Sequence, residues 1–178
     1  MVKNRCIFLD RDGVINKSIV IKGKPFAPSK IKDFLIFSYA KKSIQLLKNF
    51  FLVIVITNQP DIQNKRLSLK KLKKMNLILK KKTLVDDIYY CPHSKFFNCD
   101  CRKPKTKLFK LAAKKYNLDL KNSYMVGDRK IDIDAGKNIN CTTIYIKKNY
   151  KEKKPINYDF QFKNLYQASK FIIRNEKN

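Results

Sequence analysis

Apolar residues fall into two patterns that take turns along this chain. One is the short, nearly unbroken apolar run, found at residues 5–10, 51–56, 88–90, 124–128 and 142–146. Runs of that length are too short for helices, and the lack of alternation predicts strands buried on both faces, as in a parallel sheet. The other pattern spaces apolar side chains three and four apart, over residues 39–49, 65–82, 105–117 and 130–138. It predicts amphipathic helices. Their inward faces are read as Tyr39, Ile44, Leu47 and Phe50; then Leu72, Met75 and Leu79; then Leu108, Leu111, Ala112 and Tyr116. Asp159-Phe160 starts a short last strand or turn, and Leu165, Ala168 and Ile172 share one face of a final helix. Residues 13–37 have no clean period but contain Gly23, Pro25 and Pro28, which predicts a long loop or hairpin over one end of the sheet. Strand and helix alternate, so the expected fold is α/β: a doubly wound, Rossmann-like parallel sheet with helices on both faces. With no internal repeat, no dividing linker and no stretch long enough for a large cap domain, residues 1–178 are expected to form a single domain.

Composition adds limits. An apolar fraction of 44% is enough for a core. The longest strongly apolar run, Phe50 to Ile56, falls far short of the roughly 20 residues of a membrane helix. Met1-Val2-Lys3-Asn4-Arg5 leads into the first strand without a secretory apolar region, so the expectation is a cytoplasmic monomer with no membrane partner. The 41 basic residues against 14 acidic ones give a net charge of +27. That charge could serve a polyanion such as nucleic acid. Lysine is instead spread along the whole chain, with Asn and Ile also abundant, so a solvated lysine face is the preferred reading and nucleic acid is not the expected partner. Either way the field attracts anionic substrates.

Candidate chemistry begins at the end of the first run, in Leu9-Asp10-Arg11-Asp12-Gly13. Ligands of open α/β sheets bind beyond the carboxyl ends of the strands. Two carboxylates there, two residues apart, repel unless a cation or a proton lies between them. Mg²⁺ suits such a place, since it takes a few carboxylates plus phosphate oxygens and water. Two further strands end in Thr57-Asn58 and Asp128, and in a doubly wound sheet the three tips converge on one crevice. A phosphoryl-transfer site needs a nucleophile, a proton carrier, Mg²⁺ and donors for the phosphoryl oxygens. Asp10 can be the nucleophile and Asp12 the acid and base. Asp128 can complete the metal site, helped by Asp132 one helical turn later. Thr57 and Asn58 supply donors, and Lys103 a positive charge.

A second cluster is Cys91-Pro92-His93, five residues, then Cys99-Asp100-Cys101. His93 is the only histidine, and the four candidate ligands fall within residues 91–101. Three thiols and an imidazole with no open position suit structural Zn²⁺ in tetrahedral coordination. That ion would fix a small loop and place Arg102-Lys103-Pro104 over the crevice. Cys6 and Cys141 lie in apolar runs and read as core fillers.

Phe8-Leu9-Asp10-Arg11-Asp12-Gly13 resembles the first motif of the haloacid dehalogenase-like phosphatases. Thr57, Lys103 and Gly127-Asp128 with Asp132 resemble the other three, in chain order. The resemblance implies that Asp10 attacks phosphorus to form an aspartyl-phosphate. Asp12 would protonate the leaving oxygen and later deprotonate water, with Mg²⁺ held by Asp10, Asp128 and the backbone carbonyl of Asp12. The zinc loop with Thr57-Asn58-Gln59 resembles more narrowly the heptose-bisphosphate phosphatases and their sibling group, the histidinol-phosphate phosphatases. That implies a sugar-phosphate substrate for surface-polysaccharide synthesis, with Asn58, Gln59, Arg102 and Arg129 on the substrate. Nucleic-acid end phosphatases share the Asp-x-Asp chemistry and are the alternative that the net charge raises.

Overall fold

The computed structural model describes residues 4–177, so the reading of the leading Met1-Val2-Lys3 lies outside them. In chain order the elements are β1 (Cys6–Leu9), β2 (Ile19–Ile21), β3 (Lys24–Phe26), α1 (Ala40–Lys48), β4 (Leu52–Asn58), α2 (Leu69–Thr83) and β5 (Asp87–Cys91). They continue with α3 (Lys107–Tyr116), β6 (Tyr124–Gly127), α4 (Lys130–Asn138), β7 (Thr142–Ile146), β8 (Phe160–Phe162) and α5 (Leu165–Lys177). Six strands make one parallel sheet in the order β5-β4-β1-β6-β7-β8.

Alternation along β1 shows why it is central. Ile7 and Leu9 point into one core, with Ile44 and Leu47 of α1, Leu72 and Met75 of α2, and Leu165 and Ile172 of α5. Cys6 and Phe8 point into the other, with Phe109 and Ala112 of α3 and Ala135 of α4. A strand with helices on both sides must be apolar at every position. Each large side chain so buried contributes roughly 1.5–3 kcal/mol. Cys6 and Cys141 are in this second core, as buried thiols.

The chain runs outward from β1 to β4 and β5, then crosses through α3 to β6 on the other flank of β1. The strand order reverses there, and a crevice opens beyond the carboxyl ends of β1, β4 and β6. Residues 13–37 hold a small antiparallel hairpin, β2–β3, and no cap domain. Its turn, Lys22-Gly23, has positive φ at both residues, 50° and 81°. That backbone twist matches a tight hairpin. Among the described residues no helix is long and apolar enough to cross a membrane.

Three expectations shift. The helix expected over 65–82 starts at Leu69, because residues 61–67 turn back on themselves, with the carbonyl of Asp61 accepting from the N–H of Arg66 and Leu67. Ser68 then caps the helix, accepting from the N–H of Lys71 at 3.3 Å. Phe50 does not face the core: α1 ends at Lys48, Phe50 lies in the following turn and is 38% exposed, and Phe51 is buried instead. On α3 the buried residues are Leu108, Phe109 and Ala112, while Leu111 is 48% exposed.

Candidate active site

Asp10 follows β1 directly, and its N–H donates to the carbonyl of Val126 at 2.9 Å, so its backbone extends the sheet. Asp128 follows β6, and Asp132 sits in the first turn of α4, where its Oδ2 accepts from the N–H of Arg129 at 3.1 Å. One carboxylate oxygen from each of Asp10, Asp128 and Asp132 lies within 4.8 Å of the others, and all three side chains are buried. Lys103 reaches this group with its ammonium 2.7 Å from Asp10 Oδ1, 2.7 Å from Asp132 Oδ1 and 2.6 Å from the carbonyl of Ile56. Burial by itself lowers the proton affinity of Lys103. The charges of Asp10 and Asp132 outweigh it and hold the ammonium above its ordinary value.

Three carboxylates and one ammonium leave two negative charges unbalanced. The strain shows on the carboxyls: burial, then the charge of Asp10, push Asp128 well above the carboxylate range. Burial and Asp10 raise Asp132 to about 6 despite Lys103. Among the described residues Asp128 Oδ1 is buried with no hydrogen-bond partner. A buried oxygen left so is costly unless something else satisfies it. A divalent cation satisfies it and removes both charges, and an all-oxygen donor set suits Mg²⁺. The residues therefore fit this metal.

Asp12 is held differently. Its Oδ1 accepts from Asn16 Nδ2 at 2.8 Å, and its Oδ2 from Gln59 Nε2 at 2.7 Å and Arg11 Nη2 at 3.0 Å. Arg11 is fully buried, and its Nη1 donates to Asn76 Oδ1 of α2 at 3.1 Å. The Asp12 carboxylate is thus turned away from the other three while still lining the crevice.

The crevice encloses about 340 Å³. Its floor holds Asp10, Asp12, Thr57, Asn58, Lys103 and Asp132, and the β3 residues Lys24, Pro25 and Phe26 form one wall. Arg66, Lys95, Arg102 and Arg129 add positive charge around the rim, with Asp61 and Glu152 as acidic counterparts. Arg129 makes two bonds to Glu152, at 2.8 and 2.6 Å, and Arg102 Nη1 donates to the carbonyl of His93 at 3.1 Å. Asn58 lines the crevice, yet its amide is engaged with the main chain of Lys103: Nδ2 donates to the carbonyl at 3.2 Å and Oδ1 accepts from the N–H at 3.0 Å.

Gln59 is the one expected substrate residue that lies behind the crevice surface. It is fully buried and does not line the crevice, and its Nε2 bridges Asp12 and Thr57 Oγ1, the latter at 2.9 Å. It is a support for Asp12.

Beside the crevice, Cys91, His93, Cys99 and Cys101 bring three sulfurs and one ring nitrogen within 4.8 Å of one another. Cys91 Sγ is 3.7 Å from Cys99 Sγ and 3.1 Å from Cys101 Sγ. A tetrahedron with Zn–S bonds of about 2.3 Å has edges of about 3.8 Å, so closing this group on one ion needs only small shifts. The four donors fit Zn²⁺ and keep no position for substrate.

Sequence reasoning passed over four residues that bear on the site: Arg11, Asn76, Tyr150 and Glu152. Arg11 carried a signal, as a cation set between two carboxylates. Asn76 and Tyr150 carried none, because what makes them matter is a contact 65 or 22 residues away along the chain.

The sheet order and the carboxylate–lysine floor define a Rossmann-like phosphoryl-transfer fold. The HAD-hydrolase-like family model matches residues 100–168. The D-glycero-alpha-D-manno-heptose-1,7-bisphosphate 7-phosphatase of Campylobacter jejuni is 34% identical, over 96% of this chain and 97% of its own length. The bifunctional histidine-biosynthesis protein HisB of Buchnera aphidicola is 33% identical over 85% of this chain, which spans only 42% of that relative. The chain belongs to the haloacid dehalogenase-like phosphatases, in the group that holds the heptose-1,7-bisphosphate 7-phosphatases and the HisB phosphatase domain. Among solved structures, the D,D-heptose 1,7-bisphosphate phosphatase of B. bronchiseptica, complexed with magnesium and phosphate, shares the fold at a TM-score of 0.82 and 21% identity. The match covers 96% of this chain and 99% of that one.

Proposed function

We propose that residues 1–178 act as one phosphatase domain that removes the 7-phosphate of D-glycero-D-manno-heptose 1,7-bisphosphate in the cytoplasm, toward surface polysaccharide. The observation that carries the phosphatase chemistry is the buried Asp10–Asp128–Asp132 group. Its two unbalanced negative charges and one unsatisfied oxygen call for a divalent cation at the floor of a cationic crevice. Asp10 is proposed as the nucleophile. Among the described residues nothing bonds to its Oδ2, and Asp10 lines the crevice. Attack by this oxygen on phosphorus forms the aspartyl-phosphate and breaks the bond to the sugar oxygen, which takes a proton from Asp12. Asp12 then takes a proton from water as that water attacks the same phosphorus and frees Asp10. Lys103 and the backbone around Thr57 and Asn58 face the phosphoryl oxygens. Mg²⁺, held by Asp10, Asp128 and the Asp12 carbonyl with Asp132 behind them, would supply charge neutralisation. Phosphate monoesters are among the slowest esters to hydrolyse unaided, with enzymic enhancements up to about 10²¹-fold, and neutralising charge is a large part of that. Zn²⁺ on Cys91, His93, Cys99 and Cys101 is structural in this reading.

The likeness to the Campylobacter heptose enzyme over nearly the full length of both chains supports the substrate, as do the rim cations Lys24, Arg66 and Lys95 for a second phosphate. A histidinol-phosphate reading is favoured by the HisB relative and by the acidic Asp61 on the rim, which would face an ammonium. The test is phosphate release with Mg²⁺ from heptose 1,7-bisphosphate, histidinol phosphate and a 3′-phosphorylated oligonucleotide. Release of one phosphate from the heptose bisphosphate, with at least a tenfold preference in kcat/KM, is expected. Preference for either other ester would discard the heptose assignment and keep the chemistry.

A further inference from the structure

Three consecutive residues beyond β7 grip the site from above. Tyr150 Oη donates to Asp128 Oδ2 at 2.8 Å, with Ser18 Oγ 3.4 Å from the same hydroxyl. The N–H of Lys151 donates to the carbonyl of Gly23 at the tip of the β2–β3 hairpin, at 2.8 Å. Glu152 holds Arg129, the neighbour of Asp128, through two bonds. The segment therefore ties a candidate metal ligand, the crevice wall and a rim arginine to one another.

Gly13 completes this arrangement from below. It lies at φ +95°, and a Cβ there would come within 1.8 Å of Asp128 Oδ2 and 2.9 Å of the Tyr150 hydroxyl. The glycine of the Asp10–Gly13 turn thus leaves the slot through which tyrosine and carboxylate meet. With Oδ2 engaged by Tyr150, the oxygen left over on this member of the Asp10–Asp128–Asp132 group is Oδ1, which is buried and has no hydrogen-bond partner among the described residues.

We propose that Tyr150 is a positioning residue that orients Asp128 toward the cation by engaging its outer oxygen. Partners of this kind fix the rotation of a metal-ligating side chain, and their loss lowers metal affinity by about 10–100-fold. The proposal rests on the phosphatase reading only in that it takes the cation to sit among the three carboxylates. Tyr150 is not among the residues that line the crevice, so its effect belongs in the metal requirement and not in the chemistry at saturating metal.

The test compares Tyr150→Phe, which removes one oxygen, with the unaltered chain and with Tyr166→Phe on α5. Mg²⁺ alone is titrated while the melting temperature is read, since a ion that binds only the folded chain raises it. The Mg²⁺ midpoint is expected to rise about tenfold in Tyr150→Phe and to stay unchanged in Tyr166→Phe. In phosphate release the half-saturating Mg²⁺ should rise by a similar factor, with kcat at saturating Mg²⁺ within about twofold. Superimposable Mg²⁺ titrations for Tyr150→Phe and the unaltered chain would overturn the proposal, as would a kcat loss that excess Mg²⁺ does not recover. The unaltered chain gives a second reading that needs no variant. It has nine tyrosines and no tryptophan, so Mg²⁺ should shift its tyrosine near-ultraviolet absorption as the acceptor of Tyr150 becomes a ligand. Absence of that shift also overturns the proposal. If Mg²⁺ neither stabilises the unaltered chain nor supports turnover, the phosphatase reading fails and takes the proposal with it. If it does both and the variant is unaffected, Tyr150 alone fails.

Discussion

Lys103 shows how much a single side chain carries here. Its ammonium meets two carboxylates and a main-chain carbonyl, and it is almost fully buried. Removing a charge from this group has two separable effects. In Asp10→Asn the nucleophilic oxygen is lost, and phosphate release should fall by at least about a thousandfold, in line with other covalent nucleophiles. The same change also relieves the repulsion that raises Asp128 and Asp132, and leaves Lys103 its bonds to Asp132 and Ile56. In Mg²⁺-free buffer the variant should therefore melt no lower than the unaltered chain. A lower melting point with retained turnover would reverse the assignment of Asp10. Arg11 and Gln59 have the complementary task of holding Asp12 through side-chain hydrogen bonds.

Among the elements, the loop from Cys91 to Cys101 carries the four donors that fit zinc. About one zinc per chain is expected by mass spectrometry, and Cys101→Ser should lose it. The effect on turnover should be partial, on the order of tenfold, because Asn58 at the end of β4 independently fixes the main chain of Lys103. The same variant should be cut by protease between Ser94 and Asn98 far sooner than the unaltered chain. Unchanged digestion would remove the structural role of the metal. The elements themselves were largely legible from sequence. β7 falls where its apolar run predicts, and α4 where its spacing does, because burial on a sheet enforces those patterns. What misled was position relative to helix ends: Phe50 continues the spacing of α1 but lies beyond its last turn. The strand-tip residues Asp10, Thr57, Asn58 and Asp128 were legible because every parallel strand delivers its end to one edge. The segment around Tyr150 was not, since it has no period and its meaning comes from contacts across the fold.

At the scale of the molecule, the net charge of +27 surrounds a crevice that takes an anion. Exposed charges act over about 10 Å at 0.1 M salt and about 3 Å at 1 M. KM for a bisphosphate should therefore rise severalfold between 0.05 and 0.5 M NaCl, by the screening of that field, while kcat changes little because Lys103 is buried. A KM that does not move with salt would mean that the rim cations take no part in binding. The lysines of α2 lie along its exposed side and add to the field without touching the crevice.

The loop between the two zinc-ligand pairs has one more consequence. Residues 94–98 are pinned at both ends, by His93 and by Cys99, while Phe96 between them is 87% exposed and Lys95 lines the crevice. The arch can thus lengthen or change composition without moving Lys103, whose place is set by Asn58 and the carboxylates. Selection acting on such an arch can reshape what enters the crevice while the bond-breaking apparatus stays still, which makes these five positions the natural place for new substrate ranges to arise within this scaffold.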